Sequence, residues 1–223
     1  MIMISIAIIA LQNAQAQPFE PTTTWPYIYN DFTIGTLHML IGNDKDGQYN
    51  VCLAGNTLHF IDGDLVKAAN MNEILSVKIG KDIYENVNGE LMKVLAKSDN
   101  GVVVNEITVD MTKLNSTGAA YGSSSNSVGT MALSSLEGIG GNRTNMNHME
   151  LKSEKEDGKI LPLIEKKYLI FKGKTVFAGK KDVMDVVGLD KAAATTFFKS
   201  NKIKWSDPQS LIKVVDFLST QIK

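Results

Sequence analysis

The chain has 223 residues, 43% of them hydrophobic, with 23 Lys and Arg against 24 Asp and Glu and a formal net charge of −1. That is enough apolar material to build one large domain or two small ones without disulfide staples. The single cysteine, Cys52, excludes an internal disulfide and a cysteine-rich zinc site.

The near-neutral total hides an asymmetry. Residues 1–150 carry eight Lys and Arg against fifteen Asp and Glu, a net of −7, whereas residues 151–223 carry fifteen against nine, a net of +6. Such a split marks an electrostatic partner surface, two parts that dock on each other, or two separately solvated faces.

Residues 1–16 read as a signal peptide. Ile2 to Leu11 form an uncharged apolar run, and Ala14-Gln15-Ala16 supplies the small-x-small pattern of a cleavage site. Ten residues are too few to cross a hydrocarbon core of roughly 30 Å. No Lys or Arg precedes the run, so the natural start is expected upstream of Met1. Cleavage after Ala16 would expose Gln17. No cysteine follows to take a lipid anchor, and no later segment is apolar enough to span a bilayer. The expectation is a protein exported to the periplasm or secreted, without a transmembrane segment in its mature chain and without nucleic acid as a partner.

Residues 17–31 carry three prolines and read as an extended lead-in, with Trp25, Tyr27 and Tyr29 placed to anchor it. Residues 32–112 read as an antiparallel β domain of short strands: Gly35–Ile41, Tyr49–Leu53, Thr57–Ile61, Leu65–Ala68, Ile74–Ile79, Asp82–Val87, Glu90–Ala96 and Val102–Asp110. Lys45-Asp46-Gly47, Ala54-Gly55-Asn56 and Asp62-Gly63-Asp64 are read as the turns between them, and Asn88-Gly89 is the strongest hairpin signal. Residues 113–158 are rich in Ser, Gly and Asn and are expected to be flexible, with a short element around Met131–Leu136.

Residues 159–223 form the last part. Lys166–Phe171, Lys172-Gly173 and Lys174–Ala178 spell a hairpin, followed by three helices. The first covers Lys180–Val187 and stops at Gly188. Asp190 caps the second, Lys191–Ser200. Ser206 or Asp207 caps the third, with Pro208 in its first turn and Gln209 placed to close a capping box. Leu211, Val214, Val215, Leu218 and Ile222 lie on one stripe of it. The fold class is therefore α+β: an antiparallel β-rich N-terminal sheet or barrel, then a β-hairpin and a small C-terminal helical part. The hairpin is free to extend the first sheet.

Chemistry is sparse. The three histidines are His38, His59 and His148. His38 and His59 lie in strands. With Asp62 or Asp64 nearby they could ligate a metal or supply a base, or they could be ordinary cross-strand residues, since no spacing ties them together. The acids of Asp44-Lys45-Asp46-Gly47 and Asp62-Gly63-Asp64 lack the full calcium-loop pattern and are explained by turn chemistry. No nucleophile elbow, phosphate loop, zinc-protease helix or dinucleotide fingerprint is present. Lysines 180, 181, 191, 199, 202 and 204, with Trp205 beside them, read as a solvated face.

The stretches Asp31-Phe32-Thr33, Gly35-Thr36, Asn56-Thr57-Leu58-His59-Phe60, Asp62-Gly63 and Val77-x-Ile79-Gly80 resemble the start of small exported proteins common in gut Bacteroidota. Gly158-Lys159-x-Leu161-Pro162-Leu163 and Asn201-Lys202-Ile203-Lys204-Trp205 resemble their end. The resemblance implies a bacterial envelope protein of a family without an assigned activity. Its motifs are turns and hairpins, so it assigns no catalytic, cofactor-binding or metal residue, and no cofactor is expected. The function expected from the whole reading is a non-enzymatic binding or interaction module with an envelope protein or ligand as partner. The alternative is a small-ligand site, a metal site or an uncharted enzyme built on His38, His59 and nearby acids.

Overall fold

The computed structural model describes residues 22–23, 27–53, 55–110, 146–147 and 161–222. Residues 1–16, expected to be a leader, together with Trp25, His148, Met131–Leu136 and most of the Ser/Gly/Asn-rich segment, lie outside the described residues. Among the described residues, twelve strands form one antiparallel sheet that stays open. Its middle is two meanders joined side by side through the pairing of β2 with β6. In the first, β2 (Thr33–Met39), β3 (Lys45–Cys52), β4 (Thr57–Asp62) and β5 (Leu65–Ala68) follow one another. A 3-10 turn at Met71–Glu73 then returns the chain to the free side of β2. The second meander continues from there with β6 (Ile74–Ile79), β7 (Asp82–Val87), β8 (Glu90–Ser98) and β9 (Gly101–Val109).

Local sequence chemistry explains most of the turns. Asn88 and Gly89 both take positive φ, 56° and 94°, the conformation a two-residue hairpin turn requires. Lys172 and Gly173 do the same between β11 (Leu161–Phe171) and β12 (Lys174–Phe177). The reading of Lys45-Asp46-Gly47 as a turn is overturned: those residues open β3 and pair with Leu37, Thr36 and Gly35. The chain reverses earlier, over Leu40–Asp44, where Gly42 has φ of 101°.

Strand β3 turns a corner. Its first half, Lys45–Tyr49, pairs with β2, and its second half, Tyr49–Cys52, pairs with β4. The sheet therefore folds back on itself, and the Leu91 N–H of β8 donates to the Asn56 carbonyl at the foot of β4, at 2.8 Å. Leu37, Val51, Leu58, Val77, Tyr84 and Ile107 are among the side chains buried in that fold. A barrel, one of the two sheet forms expected, does not form. Among the described residues the outer side of β5 meets the two-residue β10 (Met146–Asn147), and the outer side of β11 takes β12 and β1 (Thr22–Thr23). Each edge among these residues takes its own short partner strand, and the two edges do not pair with each other.

The C-terminal hairpin extends the first sheet: β11 pairs with β9 from Leu163 to Ile170. After it come α1 (Lys180–Met184), α2 (Lys191–Ser200) and α3 (Pro208–Gln221). α1 is shorter than expected, because Asp185 already leaves helical geometry with ψ near 0°. The Asp190 carboxylate caps α2 by accepting from the Ala192 and Ala193 N–H groups. Asp207, not Ser206, caps α3 by accepting from the Gln209 N–H. Gln209 is then the second helical residue, one short of the capping-box position. Ser210 takes that place, and its hydroxyl accepts from the Lys204 N–H at 2.9 Å. The expected stripe of α3 is buried against β8, β9 and β11, with Val103, Leu169 and Phe171 opposite. Each such side chain contributes roughly 1.5–3 kcal/mol of burial.

Candidate functional site

The two strand histidines lie apart. His38 sits on β2, facing water, and its Nδ1 is 2.8 Å from the exposed Asp44 carboxylate. His59 sits on β4 and is 1% exposed. Strand β3 separates them, and His59 is level with Asn50 while Leu37 is level with Lys45, so they are offset along the sheet as well. Asp62 pairs with Lys67, and Asp64 is exposed in the turn beyond. Among the described residues, no three or more His, Cys, Asp or Glu side chains gather as an ion-binding group.

His59 shares a 2.8 Å hydrogen bond with the Tyr27 hydroxyl, in a small cluster with Phe32, Cys52 and Val66. Burial removes the water that would solvate an imidazolium and pulls its pKa down to about 4. The same burial raises the Tyr27 phenol above its ordinary range, with nearby Cys52 adding to the effect. Neither group is poised to exchange protons near neutral pH. Both are used to hold residues 27–32 onto the back of β3 and β4.

Asn50 completes that attachment. Its Oδ1 accepts from the Tyr29 and Val51 N–H groups, and its Nδ2 donates to the Tyr29 and Asp31 carbonyls. Tyr29 then reaches across the core to the second meander. The Tyr84 hydroxyl donates to that of Tyr29 at 2.6 Å, and Tyr29 donates to Asp82 at 2.8 Å. The Lys93 ammonium closes the chain on Asp82 at 2.9 Å. Burial, reinforced for Tyr29 by Tyr84, raises both phenols, so they stay protonated donors.

Tyr84, Lys93, Asn105 and Lys167 stand in register across β7, β8, β9 and β11. They form a polar row between the core of the folded sheet and the core under the helices. Asn105 donates to Glu165 at 2.8 Å, and its buried Oδ1 has no partner among the described residues. This row was missed in the sequence. Its one local sign is that Asp82 and Lys93 share the inward faces of β7 and β8 with the buried Tyr84 and Leu91. The lead-in tyrosines, expected as anchors, are both buried.

The remaining candidates are surface features. Leu40 and Ile41 at the tip of the β2–β3 hairpin are exposed, as is the neighbouring Leu75 of β6. Phe177 at the end of β12 and Val187 after α1 are exposed at the C-terminal part, among exposed lysines. Among the described residues no helix is long and apolar enough to cross a membrane. Compared with family models, with curated proteins and with solved structures, the chain matches none.

Proposed function

We propose that the chain is an exported envelope protein that acts as a non-enzymatic binding module, recognising a partner or ligand on its surface. The observation that carries this reading is the employment of its titratable interior. His59, Tyr27, Tyr29, Tyr84, Asp82 and Lys93 are each committed to bonds that fasten one segment of the chain to another. A general base must reach a substrate proton, and His59 is sealed from solvent with its proton affinity lowered. Apolar side chains left in water at both ends of the molecule offer contact surface instead. The leader-like start and the resemblance to exported envelope proteins supply the compartment.

The test is capture from an envelope fraction with the chain beginning at Gln17 as bait. A specific partner retained at moderate salt supports the reading. Turnover of an envelope metabolite by the purified chain, abolished in His38→Ala, would replace it with an enzyme. The 2.8 Å His38–Asp44 pair favours one alternative, a metal site on the outer face. Zinc calorimetry decides that case, since heat at micromolar metal that disappears in His38→Ala would establish it, and no heat removes it.

A further inference from the structure

We propose that this protein assembles head to tail, the tip of the β2–β3 hairpin of one copy docking beside Phe177 and Val187 of the next. The proposal rests on the binding-module reading above and names the partner as a second copy of the chain.

The tip is apolar where nothing in its own fold uses it. Ile41 is 90% exposed, Leu40 before it is exposed, and so is Leu75 on β6, the strand paired with the end of β2. The Leu40 N–H donates to the Glu73 carbonyl at 2.8 Å, which ties the base of the tip to the start of β6. The backbone that carries Leu40 is thus anchored before any partner arrives, which lowers the ordering cost of binding there. Around them Asp44, Asp46 and Glu73 are exposed, with Lys45 between the first two.

The second surface has the opposite sign. Val187 is 85% exposed and Phe177 is exposed at the sheet edge. Lys174, Lys180, Lys181 and Lys191 surround them in the chain and are all exposed. Asp182, Asp185 and Asp190 lie among these lysines, Asp185 held by Lys191 at 3.8 Å and Asp190 engaged in capping α2, so residues 174–191 carry four Lys against three Asp and keep a net of +1. The contrast extends over the molecule. Residues 27–110 carry six Lys against twelve Asp and Glu, a net of −6, and residues 161–222 carry eleven against six, a net of +5.

Charge decides the geometry. Tip against tip would bring acids onto acids, and the second surface against itself would bring lysines onto lysines. Only tip against the second surface unites apolar with apolar and acid with base. That interface is heterologous, and each copy keeps one unused surface of each kind, so the assembly grows or closes into a ring. The same charges argue against a bilayer as the occupant of the tip, because exposed acids are repelled by anionic headgroups.

The experiment uses sedimentation velocity on the chain from Gln17 and on two variants, Ile41→Asp and Val187→Lys. Both positions are exposed loop residues, and circular dichroism checks that the variants fold. The wild type is expected to form dimers and larger species as its concentration rises toward about 100 μM, and to lose at least about tenfold in affinity between about 0.05 and 0.5 M salt. Each variant alone stays monomeric. Mixed, they form a discrete one-to-one dimer that does not grow, because one supplies the intact tip and the other the intact second surface.

A wild type that remains monomeric at low salt overturns the proposal. So do variants that stay monomeric when mixed, since that marks a symmetric interface. A monomeric protein that floats with anionic vesicles and loses flotation in Ile41→Asp identifies the membrane as the occupant and overturns it too. A monomer that still captures a different envelope protein overturns head-to-tail assembly while leaving the binding-module reading in place.

Discussion

His59 makes the acid limb of stability a local matter. Its folded pKa is about 4 against 6.5 for an unperturbed imidazole. The unfolded chain therefore takes up the proton first as pH falls, and the stability tied to the neutral ring is fully present above pH 6.5. It is lost progressively from there down to about pH 4, a total of about 3 kcal/mol. In His59→Gln, which keeps a polar group for Tyr27 but does not titrate, urea midpoints should fall less over that interval than those of the wild type. Parallel curves would show that carboxylates alone set the acid limb. Asn50 tests the other end of the same strap. Asn50→Ala removes the side-chain amide that the buried Tyr29 N–H and carbonyl bond and should cost about 3 kcal/mol in urea unfolding. Asn50→Asp should cost no less at neutral pH, because a carboxylate cannot donate to the Tyr29 and Asp31 carbonyls and would be a buried charge.

Elements differ in how far their own residues announce them. The strands Leu65–Ala68, Ile74–Ile79 and Asp82–Val87 and the helix Lys191–Ser200 fall where sequence places them, because each is bounded by turn or cap chemistry acting within a few residues. The β2–β3 turn was misplaced because two turn signals, Gly42-Asn43 and Asp46-Gly47, lie next to each other, and pairing with β6 and β4 favours the first. The corner in β3 and the row from Tyr84 to Lys167 were not legible. They depend on which strands become neighbours, and the Tyr29–Asp82 bond joins residues 53 apart. Of the candidate groups, sequence could name His38 and His59 but not show that β3 keeps them apart. Helix α3 was legible from its stripe, and its packing yields a direct prediction. Leu218 is fully buried against the sheet, so Leu218→Ala should lower stability by about 2–5 kcal/mol, read as a shift in the urea midpoint at unchanged slope.

At the scale of the whole molecule, the opposing charges of the two halves would allow two bodies resting on each other, but the sheet connects them covalently and by hydrogen bonds. Strand β11 pairs with β9 over eight consecutive residues, and the helices cover the face that β8, β9 and β11 share. The turn between β8 and β9 is also tied to α3, since Ser98 and Asn100 donate to Asp216 at 2.7 and 2.9 Å. The helices cannot leave without exposing the inner face of β9, and β9 cannot loosen without releasing Ile107 from the folded sheet. Cooperative unfolding follows from that shared strand. With Trp25 replaced by Phe, Trp205 emission reports the helical layer, and near-ultraviolet dichroism at tyrosine wavelengths reports mainly the folded sheet, where Tyr27, Tyr29, Tyr49 and Tyr84 are buried. The two urea transitions should coincide and should shift together in both Asn50→Ala and Leu218→Ala. If Asn50→Ala moved the dichroism midpoint while Trp205 kept its own, β9 would be transmitting no stability between the layers, and the halves would have to be treated as independent units joined by a common edge.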